Sequence, residues 1–136
     1  MPTYGNAKSE SKLIYEELSY KINGILFSAR RELGGYCNEK QYCDAIEEKF
    51  KKAGIGYERE KILPASFEGE RNRNRVDFLI EGKMVLEVKA KRFISKEEYY
   101  QLKRYLSVLN KKLGILVNFR QKFVHPKRVL NASADE

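Results

Sequence analysis

The sequence predicts an α/β protein, a small mixed β-sheet flanked by helices, on three observations. Apolar residues recur at helical spacing over residues 11–33, 38–53 and 95–110. Short apolar or alternating segments at 55–64, 75–80, 84–90 and 113–119 read as strands. Their order is helix, helix, strand, strand, strand, helix, strand, with a further edge strand over 123–130, and such mixing favours a sheet with helices packed on its faces. No repeat, linker or second domain interrupts the pattern. One domain is therefore expected over 11–130, between a flexible N-terminus (1–10) and a flexible C-terminus (131–136).

The first helix, Ser11 to Leu33, carries Ile14, Leu18, Ile22, Ile25, Leu26, Ala29 and Leu33 on one stripe. Gly24 inside it reads as a point of close packing, and Gly34-Gly35 as its stop. The second helix, from Asn38 to Ala53, turns Tyr42, Ala45, Ile46, Phe50 and Ala53 inward and closes at Gly54 and Gly56. Glu39 lies in its first turn, where a carboxylate suits the helix dipole whatever else it does. Ile55 to Pro64 is a partly exposed strand. A polar loop then brings Arg71, Arg73 and Arg75 in at alternate positions, on the side of Asp77. They serve either as bidentate phosphate grips or as a solubilising rim.

The segment from Arg75 to Ala90 reads as a hairpin. Val76, Phe78 and Ile80 share an apolar face with Met84, Leu86, Val88 and Ala90, and the other face carries Asp77, Glu87 and Lys89. The two acids meet only if 77 pairs with 87, which requires a three-residue loop, Glu81 to Lys83, or a bulge. A two-residue loop would pair 77 with 86 and send the acids to opposite faces. A charged face on an antiparallel strand is ordinarily a solvated one, so the hairpin takes its meaning from the rest of the chain.

After Lys91-Arg92, Ser95-Lys96-Glu97-Glu98 is a capping box. The helix it opens runs to Asn110, with Tyr99, Leu102, Leu106 and Leu109 as its buried stripe, and with Gln101 and Tyr105 one turn apart on one side. Leu113 to Phe119 is a buried strand. Pro126 confines the last strand to an edge, and His125 beside it reads as a surface residue without a catalytic role.

Net charge is +8, with a sequence pI near 9.4. It is unevenly spread: residues 1–70 hold 11 Lys and Arg against 12 Asp and Glu, and residues 71–136 hold 16 against 7. A basic half around an acidic pair suits a polyanion whose phosphates bridge to a metal. No apolar run is long enough for a bilayer and no signal-peptide core opens the chain, so a cytoplasmic protein without membrane partners is expected. Cys37 and Cys43 are too few for a disulfide framework or a zinc site and read as reduced thiols.

Asp77, then Glu87-Val88-Lys89 on the following strand, resembles the metal-dependent PD-(D/E)XK nuclease superfamily, with Val76 where that superfamily has Pro. The segment Leu33 to Tyr42 is similar to the signature of a small branch named for Gly-x-x-Glu-x-x-Tyr. Glu39 and Tyr42 match, Gly35 stands one place out of register, and Asn118-Phe119 also matches. The resemblance implies a restriction-endonuclease-like αβββαβ core and phosphodiester hydrolysis in nucleic acid, DNA above all. It implies that Asp77 and Glu87, with the Val88 carbonyl and Glu39, hold Mg²⁺ or Mn²⁺, and that Lys89 orients the attacking water. Gln101 and Tyr105 match an accessory motif, the first orienting groups at the site and the second contacting substrate. Arg71, Arg73, Arg75, Lys91 and Arg92 are the expected nucleic-acid contacts. A homodimer fits a compact site that addresses one strand. The rival reading is a catalytically inactive nucleic-acid-binding module with the same fold.

Overall fold

The computed structural model describes residues 15–65 and 74–134. Helix α1 (Glu16–Leu33) ends at Gly34, whose φ of 76° is a conformation that favours glycine. Helix α2 (Glu39–Ala53) opens on a capping box. The Asn38 side chain accepts from the Gln41 N–H at 2.8 Å, and the Gln41 side chain accepts from the Asn38 N–H at 2.9 Å. Strands β1 (Tyr57–Ile62), β2 (Arg75–Ile80) and β3 (Met84–Lys89) follow, then helix α3 (Lys96–Leu109) and strands β4 (Leu113–Asn118) and β5 (Lys127–Leu130). The sheet order is β1-β2-β3-β4-β5. All neighbours are antiparallel except β3 and β4, which α3 connects as a parallel pair.

The core lies in two layers. On one face α1 and α2 bury Ile22, Leu26, Tyr42, Ile46 and Phe50 against Phe78, Ile80, Met84, Leu86, Ile115 and Val117. On the other, α3 buries Leu102, Tyr105 and Leu106 against Val76, Val85, Leu116 and Val129. Strands β3 and β4 are covered on both faces, so their sequences are almost continuously apolar rather than alternating. Gly114 lets α3 sit close, because a β-carbon there would meet Leu102 at 3.1 Å.

Several local expectations change. Residues 11–14 of the first helix lie outside the described residues, as do Arg71 and Arg73. Gly24 is not a point of close packing: a β-carbon there would meet nothing within 4 Å. In α2, Cys43 rather than Ala45 or Ala53 completes the buried stripe. The last strand is shorter than 123–130, because Pro126 precedes it and pairing with β4 starts at Lys127. The chain stays bound past it, where the Asn131 N–H donates to the Lys112 carbonyl at 2.9 Å. No helix among the described residues is long and apolar enough to cross a membrane.

The largest departure is in β2. Val76 does not share a face with Phe78 but packs in the α3 layer with Leu63, Leu79 and Val85. The alternation breaks at Asp77, just where the ladder to β3 stops and where Glu60, facing it on β1, has a φ of 53°.

Candidate active site

The site starts from the hairpin turn. Ile80 pairs with Met84, so the loop is Glu81-Gly82-Lys83, closed by the Lys83 N–H on the Ile80 carbonyl at 2.9 Å. Glu81 and Gly82 have φ of 54° and 65°. This three-residue loop sets the register that brings Asp77 opposite Glu87. The last backbone pair is Phe78 with Leu86. Beyond it the carboxylates take over. The Asp77 N–H donates to Glu87 Oε1 at 2.8 Å, and the Val88 N–H donates to Asp77 Oδ2 at 2.7 Å. Two part-buried donors thus find carboxyl oxygens in place of backbone carbonyls.

Burial decides the electrostatics. Glu87 is 5% exposed, and Asp77 is half-buried. Loss of solvent, with Asp77 beside it, pushes the Glu87 carboxyl up to about 8. Burial likewise raises Asp77, against the Val88 N–H and Lys89, which pull it down. The Lys89 ammonium lies 4.0 Å from Glu87 Oε2, a separation at which one amine does not neutralise two acids. Each acid uses one oxygen on the backbone and keeps the other. Paired, partly dehydrated carboxylate oxygens with unbalanced negative charge are the donor set that a hard divalent cation such as Mg²⁺ or Mn²⁺ fits.

Asp77 also lines a cleft of about 350 Å³ with Glu39, Lys40, Cys43, Arg59 and Glu60. Glu39 acts on the pair through space, its charge raising both acids. Yet no group of three His, Cys, Asp or Glu side chains among the described residues stands close enough to hold a metal ion, so Glu39 does not close on the pair in this conformation. Arg59 is taken up by Asp44 at 2.7 Å and Glu47 at 2.9 Å, which fastens α2 to β1. Burial, and Asp77 next to it, push the Cys43 thiol up, so it stays neutral.

Other expected residues divide. Tyr105 is 6% exposed and packed in the α3 layer, where Gln101 hydrogen-bonds its hydroxyl, and burial raises its pKa with Glu87 adding to the shift. That makes it a core residue adjoining the acids rather than an outward-facing contact. Lys91 is held by Glu98 at 2.7 Å. Arg75 is exposed, 3.7 Å from Glu60, and Arg92 lies over the Phe93 ring at 5.4 Å.

Two structural roles escaped the sequence reading. The Tyr42 hydroxyl donates to the Gly34 carbonyl, and its ring stacks on Phe119 with centroids 4.3 Å apart. Tyr42 thereby ties the α1–α2 turn to the end of β4. Asn118, 3% exposed, accepts from the Lys91 N–H at 3.0 Å and donates to the Lys91 carbonyl at 2.8 Å. Its Oδ1 also accepts from the Arg120 N–H at 3.3 Å. A polar residue ending an otherwise apolar strand was the available signal for it.

No curated protein matches the sequence. Among solved structures the chain is similar in fold to the crystal structure of SSO0001, with a TM-score of 0.51 and 19% identity over 86% of this chain. It spans 59% of that protein's chain. Residues 16–129 match the family model described as the PD-(D/E)XK nuclease superfamily. That match runs from α1 into β5 and takes in the whole acidic hairpin, and the chain belongs to the PD-(D/E)XK nuclease superfamily.

Proposed function

We propose that the protein is a metal-dependent nuclease that hydrolyses phosphodiester bonds in nucleic acid, DNA first among them. The observation that carries this is the reciprocal hydrogen bonding of Asp77 and Glu87, two dehydrated carboxylates set beside Lys89 in a superfamily defined by that chemistry. Asp77, Glu87 and the Val88 carbonyl would hold Mg²⁺ or Mn²⁺, and Glu39 would complete the set by closing across the cleft. The bound cation supplies positive charge at the phosphate and lowers the pKa of water. Lys89 orients the attacking water and stabilises negative charge as it develops on the phosphoryl oxygens. Asp77 and Glu87 fix one another through the backbone of the opposite strand, so this pair is oriented before substrate arrives and only Glu39 has to move. Glu39 and Tyr42 support placement in the Gly-x-x-Glu-x-x-Tyr branch, Tyr42 holding the turn that precedes Glu39.

The test is cleavage of single-stranded, duplex and branched DNA and of RNA, with and without Mn²⁺. Cleavage that needs the metal and disappears in Asp77→Asn supports the proposal. Cleavage unchanged in both Asp77→Asn and Lys89→Ala overturns it. A second reading, a catalytically silent nucleic-acid-binding module, is favoured by the separation of Glu39 from the acidic pair. It predicts binding with steep salt dependence and no cleavage.

A further inference from the structure

The parallel strands β3 and β4 finish side by side, Lys89 pairing with Asn118. The loops that follow them are stitched together by the Asn118 amide, and the two helices that flank the α1–α2 turn reach the second loop, α2 through the Tyr42–Phe119 stack and α1 through a hydrogen bond from Arg30 Nε to the Gln121 carbonyl at 3.3 Å, while the Tyr42 hydroxyl holds the turn itself at Gly34. These three segments therefore form one rim, at the end of the sheet that carries Glu87 and Lys89.

The rim's composition is unusual for a protein surface. Tyr36, Phe93 and Phe123 are 90%, 76% and 69% exposed, three of the four most exposed aromatic side chains among the described residues. Each has a cation over its ring: Arg120 at 5.6 Å from Tyr36, Arg92 at 5.4 Å from Phe93 and Lys122 at 5.6 Å from Phe123. None of these three cations has a carboxylate partner among the described residues, whereas Lys91 within the same rim does. Scattered single apolar residues are normal on a surface. A rim that repeats flat ring and free cation calls for an occupant that offers flat faces and negative charge together.

We propose that this rim is a docking surface for an unpaired nucleic-acid strand. Its bases stack on Tyr36, Phe93 and Phe123, and its phosphates meet Arg120, Arg92 and Lys122, so that the backbone is led to Asp77 and Glu87. A duplex hides its base faces within its own stack and leaves the three rings nothing to cover, so an unpaired strand is the occupant the rim fits. The proposal rests on the nuclease reading only for what happens to the strand afterwards, and its test does not depend on cleavage.

The experiment measures binding of the full chain, in EDTA, to a fluorescent single strand and to the duplex of the same length and sequence. The single strand should bind at least about 5-fold more tightly, and Tyr36→Ala, Phe93→Ala and Phe123→Ala should each weaken it about 5-fold or more while changing duplex binding less than about 2-fold. Phe93→Trp should retain single-strand affinity. All three rings are exposed, so their loss spares the core, and unchanged melting temperatures will show it. Equal affinity for the two substrates, or alanine variants that bind like wild type, overturns the proposal. Metal-dependent cleavage together with alanine variants that bind the single strand like wild type would leave the nuclease reading standing and remove the rim. Ring-dependent binding without cleavage would do the reverse.

Discussion

Asp77 and Glu87 each accept a hydrogen bond from the backbone of the other's strand, Asp77 from the Val88 N–H and Glu87 from the Asp77 N–H. The carboxylates are therefore part of the sheet as well as of the site. Truncation to alanine would leave part-buried N–H groups without partners, and the amide isosteres, which keep an acceptor oxygen, are the informative substitutions.

The first prediction concerns Glu87 without metal. Its folded-state pKa, about 8, lies above the ordinary value of 4.5. Stability from this group is then complete below pH 4.5 and is lost as pH rises toward 8, because the unfolded chain releases the proton first. Glu87→Gln, which cannot ionise, should be more stable than wild type in EDTA at pH 7, by on the order of 3 kcal/mol. The gain should vanish at pH 4.5. Thermal melts across that range check it, and a constant difference would show that the carboxyl is not protonated in the folded apo protein.

Metal should reverse the sign. Ions that bind only the folded state stabilise it by about 2.7 kcal/mol at 100 times their dissociation constant. Millimolar Mn²⁺ should raise the melting temperature of wild type and leave Asp77→Asn and Glu87→Gln unmoved. A wild-type melting temperature unchanged by the metal would count against the site.

Lys89 separates chemistry from folding. Its side chain lies 4.0 Å from Glu87, beyond hydrogen-bond distance, so its removal should leave the fold in place. Lys89→Ala should lower kcat about 100-fold to 1,000-fold, the range seen when one donor to developing charge is removed. Its circular dichroism spectrum should match wild type. A drop in activity that tracks a drop in melting temperature would assign Lys89 to structure instead.

Lys91 and Glu98 form a different kind of pair. The Lys91 ammonium, and then the Ser95 hydroxyl, pull the Glu98 carboxyl down to about 2. Stability from Glu98 is therefore present above pH 4.5 and is lost as pH falls through about 2. Glu98→Gln should be less stable than wild type at pH 6, with the difference closing as pH falls toward 2. With Lys91 engaged in this way, Lys91→Ala should disturb nucleic-acid binding less than Arg92→Ala, read from the slope of affinity against salt.

The fold was largely legible because its signals are local. Ser95 and Glu98 marked a helix start by a spacing that needs no tertiary information, and the three-residue loop whose register sets 77 opposite 87 followed from counting residues across Gly82. The misreadings were of positions that depend on distant neighbours. Val76 changes layers because the ladder parts at the acids, which strict alternation along one strand cannot express. Gly24 faces open space because what surrounds a helical glycine is settled by packing, not by its own sequence. Asp77, Glu87 and Lys89 could be read as a candidate site from one short hairpin. The burial that shifts the acids is a property of the folded packing and cannot be read from the hairpin alone.

The last prediction takes Asn118, which links the two loops of the rim. Its amide makes both an acceptor and a donor contact with the Lys91 backbone and also accepts from the Arg120 N–H, all from a side chain 3% exposed. Asn118→Leu is close in volume but satisfies none of these groups, and it should cost about 2–3 kcal/mol, the desolvation cost of buried polar groups left unpaired. The consequence for function should be larger than the consequence for folding. If Asn118 sets the spacing of Phe93 and Arg120, Asn118→Leu should lose single-strand affinity about as severely as removal of one ring, under conditions where it remains fully folded. Anisotropy titrations beside melting curves separate the effects, and a variant that is destabilised but binds normally would show the two loops to be independent.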